Sequence, residues 1–197
     1  MKARPSVLLL ALVVVLVFCS AAIGFQAREH LTVQEIDLVK DAQVLDKRIE
    51  VFIKAADRRM LSLNGPSGTN GTNPANAKQL KKDSEIWGDL PSGTRAELIG
   101  DIAGIFDEAL TNIDDVSARD EHNPLIAKAL RNLAAAASRI VEQLKPAEAQ
   151  ATGEAELNSF DQLTENAESI LQAANRLPPP AVEKKGKGKA EKVKATN

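Results

Sequence analysis

Tyrosine is absent from this chain, tryptophan and cysteine occur once each, and five phenylalanines complete an aromatic share of 3%. β-Sandwiches and barrels draw on aromatic and β-branched residues, so this scarcity points away from both. It also leaves little with which to build a platform for stacking nucleic-acid bases. A single cysteine, Cys19, cannot form a disulfide within one chain. Histidine is nearly as scarce, with only His30 and His122. Neither follows a Glu by three positions, so the Glu-x-x-His pairs of a carboxylate di-iron centre are missing. There is no Cys-x-x-Cys-His haem-attachment motif, Gly-x-Ser-x-Gly elbow, His-Glu-x-x-His motif or phosphate loop. The sequence therefore implies no cofactor, no metal and no catalytic residue.

What is present suffices for one domain with appendages: 197 residues, 44% hydrophobic and 26% charged. Lys2 and Arg4 precede an unbroken apolar run of twelve residues, Val7 to Phe18. The small residues Ser20, Ala21, Ala22 and Gly24 follow. That order is the order of a secretory signal peptide, with cleavage expected near 22–24. A spanning helix needs about 20 apolar residues, so the run is short for a permanent anchor. Bulky Phe18 before Cys19 disfavours lipidation at that cysteine. Cleavage beyond it leaves a mature chain with no thiol, which excludes thiol catalysis and zinc–thiolate sites. The expectation is export to the periplasm or the exterior, with residues 1–27 holding the signal and the start of the mature chain.

Charge is segregated along the rest. Residues 181–197 hold Lys184, Lys185, Lys187, Lys189, Lys192 and Lys194 against Glu183 and Glu191, a net of +4. Setting aside the two signal bases and this tail leaves 17 bases and 25 acids in residues 28–180, a net of −8. An acidic body in an exported protein makes nucleic acid a poor partner. Pro178-Pro179-Pro180 is a stiff spacer, and the Lys-rich segment behind it is too polar to offset its chain entropy. Residues 178–197 therefore read as a disordered tail. Its six lysines suit a peripheral tether to an anionic envelope surface, since each contributes about 1 kcal/mol near an anionic membrane.

Residues 28–177 read as an all-α domain, an antiparallel four-helix bundle with a short fifth helix at 75–87. The first helix is expected over Val33–Leu63. Thr32 and Glu35 form its capping box, and Ile36, Val39, Ala42, Leu45, Ile49, Phe52, Ala56, Met60 and Leu63 form its apolar face. Asp46, Lys47, Glu50, Lys54, Asp57 and Arg58 fall on the opposite face. Asn64-Gly65-Pro66 opens a polar loop, and Leu80, Ile86 and Trp87 belong to the short helix.

A second capping box, Thr94 and Glu97, starts a helix reaching Val116 through Leu98, Ile102, Ile105, Ala109 and Ile113. Asn123-Pro124 starts the next, with Leu133, Ala137, Ile140 and Leu144, and Pro146 is expected to end it. The last runs from near Thr152, with Leu157, Phe160, Leu163, Ala167 and Ile170, to Pro178. Short connections at 118–122 and 146–151 predict that the last three helices are antiparallel neighbours.

Asp107, Glu108, Asp114, Asp115, Asp120 and Glu121 crowd the end of the second long helix and the following turn. Their spacing is not that of an EF-hand loop, and acids at a helix C-terminus oppose its dipole. A patch for a basic partner is the functional reason such a cluster suggests. Leu31-Thr32-Val33-Gln34 falls one residue short of the Leu-Thr-x-x-Gln signature of small periplasmic helical stress chaperones. The capping box accounts for Thr32, and nothing is carried over. The leading expectation is an exported, non-enzymatic helical protein that binds another protein or an anionic envelope surface. The alternative is a periplasmic chaperone-like or apolar-ligand-binding bundle. A third is an enzyme of unfamiliar type working through the acidic residues.

Overall fold

Three helix starts arise where side chains take up the first free amides. The structure, a computed structural model, describes residues 29–65 and 83–178. Thr32 accepts from Glu35 N at 3.3 Å while Glu35 Oε2 accepts from Thr32 N at 2.9 Å, opening α1 (Val33–Asp41). Thr94 and Glu97 repeat the arrangement at the start of α3 (Arg95–Arg119). Asn123 Oδ1 accepts from Leu125 N at 3.0 Å, and Pro124 begins α4 (Pro124–Glu148). The remaining long helices are α2 (Leu45–Asn64) and α5 (Glu154–Asn175), and residues 83–87 are also helical. Among the described residues there is no strand, so the fold is all-α. Within the same residues no helix is long and apolar enough to cross a membrane. The signal region, the 75–82 part of the expected short helix and the Lys-rich tail lie outside the described residues.

The continuous helix expected over 33–63 is broken at residues 42–44. Ala42 leaves the helical region with ψ of 84°. Polar side chains take up the carbonyls this frees: Gln43 Nε2 donates to Lys40 O at 2.8 Å and Arg48 Nε to Ala42 O at 3.0 Å. In an unbroken helix Glu35 and Arg58 would lie about 35 Å apart. Here Arg58 Nε stands 3.1 Å from Glu35 Oε1. The chain therefore reverses, and α1 folds back along α2.

Pro146 does not end α4, which continues to Glu148. Its fixed φ is helical, and with two residues of α4 left after it the end of the helix absorbs the missing amide donor and the crowding of the ring against the Glu142 carbonyl.

Ion pairs give the helix directions. Asp46 meets Lys128 and Asp57 meets Arg139, so α2 and α4 run the same way. Arg95 meets Glu156 and Ala103 O accepts from Asn166, so α3 and α5 also run together. Sequence neighbours alternate in direction: short connections impose it from α3 to α5, and the Arg48–Asn112 and Arg59–Asp101 pairs show it for α2 and α3. The expected side-by-side order is only partly kept, because α3 packs chiefly on its parallel partner α5 and on α2. α4 packs chiefly on α5 and α2.

Ile49 and Phe52 of α2, Ile102 and Phe106 of α3, Leu133 and Ile140 of α4, and Leu163 and Ile170 of α5 meet in one core. Each such side chain contributes about 1.5–3 kcal/mol by leaving water. One residue of the expected apolar stripes, Leu157, stays outside the core at 42% exposed, and Ile86 of the short helix is 61% exposed. Conversely, Asp46 and Arg58, assigned to the solvent face of the first helix, are buried. α4 covers Asp46 through Lys128, and the returning α1 covers Arg58.

Candidate functional site

The acidic residues do not converge. Asp107 and Asp120 are 13 residues apart, about 20 Å along a helix. Asp107, Asp114, Asp115, Asp120 and Glu121 are exposed. Glu108 turns aside, its Oε2 lying 2.7 Å from His30 Nε2. Asp115 stands 3.9 Å from Arg119, and Glu121 stands 3.5 Å from His122 Nδ1. No group of three or more His, Cys, Asp or Glu among the described residues could hold a metal ion. The set is a presented surface rather than a pocket. The candidate tether residues Lys184, Lys185, Lys187, Lys189, Lys192 and Lys194 lie outside the described residues. Arg131 Nη2 donates to Pro178 O at 2.5 Å. This holds the end of α5 at the same end of the molecule as the acidic 120–123 connection.

A buried charge cluster lies at the opposite end of α3. Glu35 has no exposed surface, and Arg58, Arg59 and Asp101 are 2%, 1% and 4% exposed. Glu35 Oε1 accepts from Arg58 Nε at 3.1 Å and from Arg59 Nη1 at 2.6 Å. Its other oxygen is the one that caps α1. Arg59 also donates to Ala55 O at 3.0 Å and to His30 O at 2.6 Å. Asp101 Oδ2 lies 3.9 Å from Arg59 Nε, beyond hydrogen-bond range. Arg59 Nε is buried without an acceptor. Two carboxylates and two guanidiniums make the cluster formally neutral. Attraction within such a set is largely offset by desolvation, so its main consequence is positional. It fixes where α1 lies on α2 and α3.

Arg58 extends the cluster to the loop before α3. Its Nη2 donates to Gly88 O at 3.1 Å and to Asp89 O at 2.5 Å, and its guanidinium lies 5.7 Å from the Trp87 ring centroid. That distance is within cation–π range. Gly88 has φ of +70°, and a Cβ there would meet Gln34 Cδ at 3.1 Å, so both backbone and space call for glycine. Ser62 Oγ donates to Pro91 O at 2.7 Å, which ties the loop down again.

Between this loop, the segment leading into α1 and the α2–α3 floor opens a cleft of about 410 Å³. Glu29, Leu31, Thr32, Gln34, Arg59, Asp89, Leu90, Pro91, Ser92 and Asp101 line it. On the other side of the loop, Leu61, Leu90 and Arg58 help line a second, more apolar cleft of about 290 Å³.

Sequence reasoning missed this cluster, although one signal was present. Arg59 lies three residues after Ala56 and four after Ala55, on the apolar stripe itself. A cation there needs a buried acid. No family model matches this chain, and comparison with curated proteins and with solved structures gives no match.

Proposed function

We propose that this is an exported, non-enzymatic protein whose 28–177 region is a four-helix bundle, with α1 folded back along it, and whose role is to bind an envelope component. The observation carrying this reading is the presented acid surface. Asp107, Asp114 and Asp120 are exposed, and no cation among the described residues pairs with them. The signal-like N-terminus supports export, and the Lys-rich 181–197 segment supports a peripheral hold on an anionic surface. Body and tail then address two partners of opposite charge.

Cosedimentation with phosphatidylglycerol-containing vesicles tests the tether. Deletion of 181–197 is expected to abolish binding while leaving the helical spectrum intact. Equal binding by both forms, or binding by neither, refutes it. For the acidic surface the probe is a cationic peptide such as polylysine. The Asp107→Asn/Asp114→Asn/Asp120→Asn variant should bind it more weakly, and unchanged binding removes that role.

A second reading, a bundle that holds an apolar ligand or an unfolded client, draws on the 290 Å³ cleft beside exposed Ile86 and Leu90. Enhancement of a hydrophobic dye, lost in Ile86→Ser/Leu90→Ser, would favour it.

A further inference from the structure

We propose that α1 is an exchangeable arm: straightening of the 42–44 hinge carries it off its own α2 and onto the α2 of a second copy of this chain, giving a reciprocally swapped dimer. The inference is independent of the tail, of the acidic surface on α3 and of both clefts.

The hinge holds no residue that forbids a helix. Residues 42–44 are Ala, Gln and Val, without glycine or proline. The bend rests on Ala42 (φ −76°, ψ 84°) and Val44 (φ −94°, ψ 132°), which lie outside the helical region. The apolar positions Val39, Ala42, Leu45 and Ile49 keep helical spacing straight through it. Val44 gives the first amides of α2 no side-chain cap and is itself exposed. A helix continuous over 33–64 answers those amides with the carbonyls of residues 41–43. It gives up the two side-chain bonds that hold the bend, from Gln43 to Lys40 O and from Arg48 to Ala42 O.

The bonds that seat α1 cross the hinge. Glu35 meets Arg58 and Arg59, His30 Nε2 lies 2.7 Å from Glu108 Oε2, and His30 O accepts from Arg59 Nη2. Among the helices, α1 packs chiefly on α2. Each of these pairs joins a residue before 42 to one after 44. Two copies related by a two-fold axis therefore remake them between chains without any new contact. Glu35 of each copy still caps its own α1, and it neutralises Arg58 and Arg59 of the other. A straightened chain that stays alone leaves both buried arginines without their acid and bares Leu31, Ile36 and Val39. A second copy is thus the occupant that restores what opening removes. The same loss makes exchange slow, so a dimer once formed persists on dilution. It carries the body's surface twice, which makes attachment to a repetitive partner bivalent.

The test follows the full chain in a Cys19→Ser background, which removes disulfide-linked dimers. The protein is held at millimolar concentration in urea below its unfolding midpoint, the urea is removed, and size-exclusion chromatography with light scattering reads the mass. A dimer whose share grows with concentration and survives dilution is expected. Gln43→Ala/Val44→Ala should raise that share and Gln43→Gly/Val44→Gly should lower it. Four glycine-for-alanine differences per dimer separate the two variants by on the order of a hundredfold or more in dimerisation constant. Nitroxides at the exposed sites Asp37→Cys and Asn64→Cys, on labelled chains diluted into unlabelled ones, read the hinge itself. The two labels of one chain should lie about 40 Å apart in the dimer, the span of a continuous helix, and close together in the monomer. Monomer alone after the urea treatment overturns the proposal. A dimer whose labels stay close, or whose share is the same in the alanine and glycine variants, overturns it too.

Discussion

Replacing Glu35 by alanine strips a fully buried carboxylate of three contacts, from Arg58 Nε, Arg59 Nη1 and Thr32 N. Both guanidiniums stay behind, 2% and 1% exposed, with one negative charge fewer around them. Removing one partner of a buried ion pair costs about 3–5 kcal/mol. Loss of the reciprocal half of the cap adds up to about 1 kcal/mol. Arg58 keeps Gly88 O and Asp89 O, and Arg59 keeps Ala55 O and His30 O, which argues for the lower end. A loss of about 3 kcal/mol is expected, a large part of a typical domain stability of 5–15 kcal/mol. Urea unfolding followed by far-UV circular dichroism measures it. Arg59→Met completes a double-mutant cycle, in which Glu35→Ala should cost at least about 1 kcal/mol less than in the native background. Hydrogen exchange supplies the spatial check: α1 amides should lose protection first, while those of α3 hold. A cost below about 1 kcal/mol, the value of an exposed pair, would refute the buried latch.

Two glycines of α3 should respond in opposite directions. Gly100→Ala meets only Ser159 Oγ at 3.5 Å and should gain about 0.5–1 kcal/mol of helix propensity, whereas Gly104→Ala meets His30 Cγ at 3.0 Å and should destabilise in the same thermal assay. Leu133→Asp and Leu163→Asp place a carboxylate at sites 0% and 1% exposed, and loss of the cooperative unfolding transition is expected for each. The Lys128 hydrogen bond holds the Asp46 carboxyl below its usual range, against the opposing effect of burial. A depressed acid stabilises the fold above its unfolded pKa, and that contribution disappears as pH falls through the folded value. Stability should therefore drop below about pH 4, less steeply in Asp46→Asn and less steeply at high salt because Lys128 is exposed.

Local chemistry made most of the helices legible. The Thr32–Glu35 and Thr94–Glu97 boxes and the Asn123–Pro124 pair satisfy amides within three residues of themselves, so no distant partner is needed to place those starts. The stripes of α3 and α4 likewise follow from helical period and burial. The acidic cluster was equally plain as composition, but composition does not say whether carboxylates converge. Along one helix they do not, and a residue 78 positions away takes Glu108.

The all-α class and the apolar faces were determined by the amino-acid sequence alone, because each rests on neighbours a turn apart, and the segregation of charge was too, because it is a sum along the chain. The reversal at 42–44, the parallel packing of α3 on α5 and the burial of Glu35, Arg58 and Arg59 were decided only in the folded chain. Arg58 sits on a polar face when α2 is considered alone, and it is buried once α1 returns across it. Such a charge is tolerated because Glu35, 23 residues earlier, arrives at 3.1 Å. That meeting depends on where a helix breaks, and helical period carries no information about it.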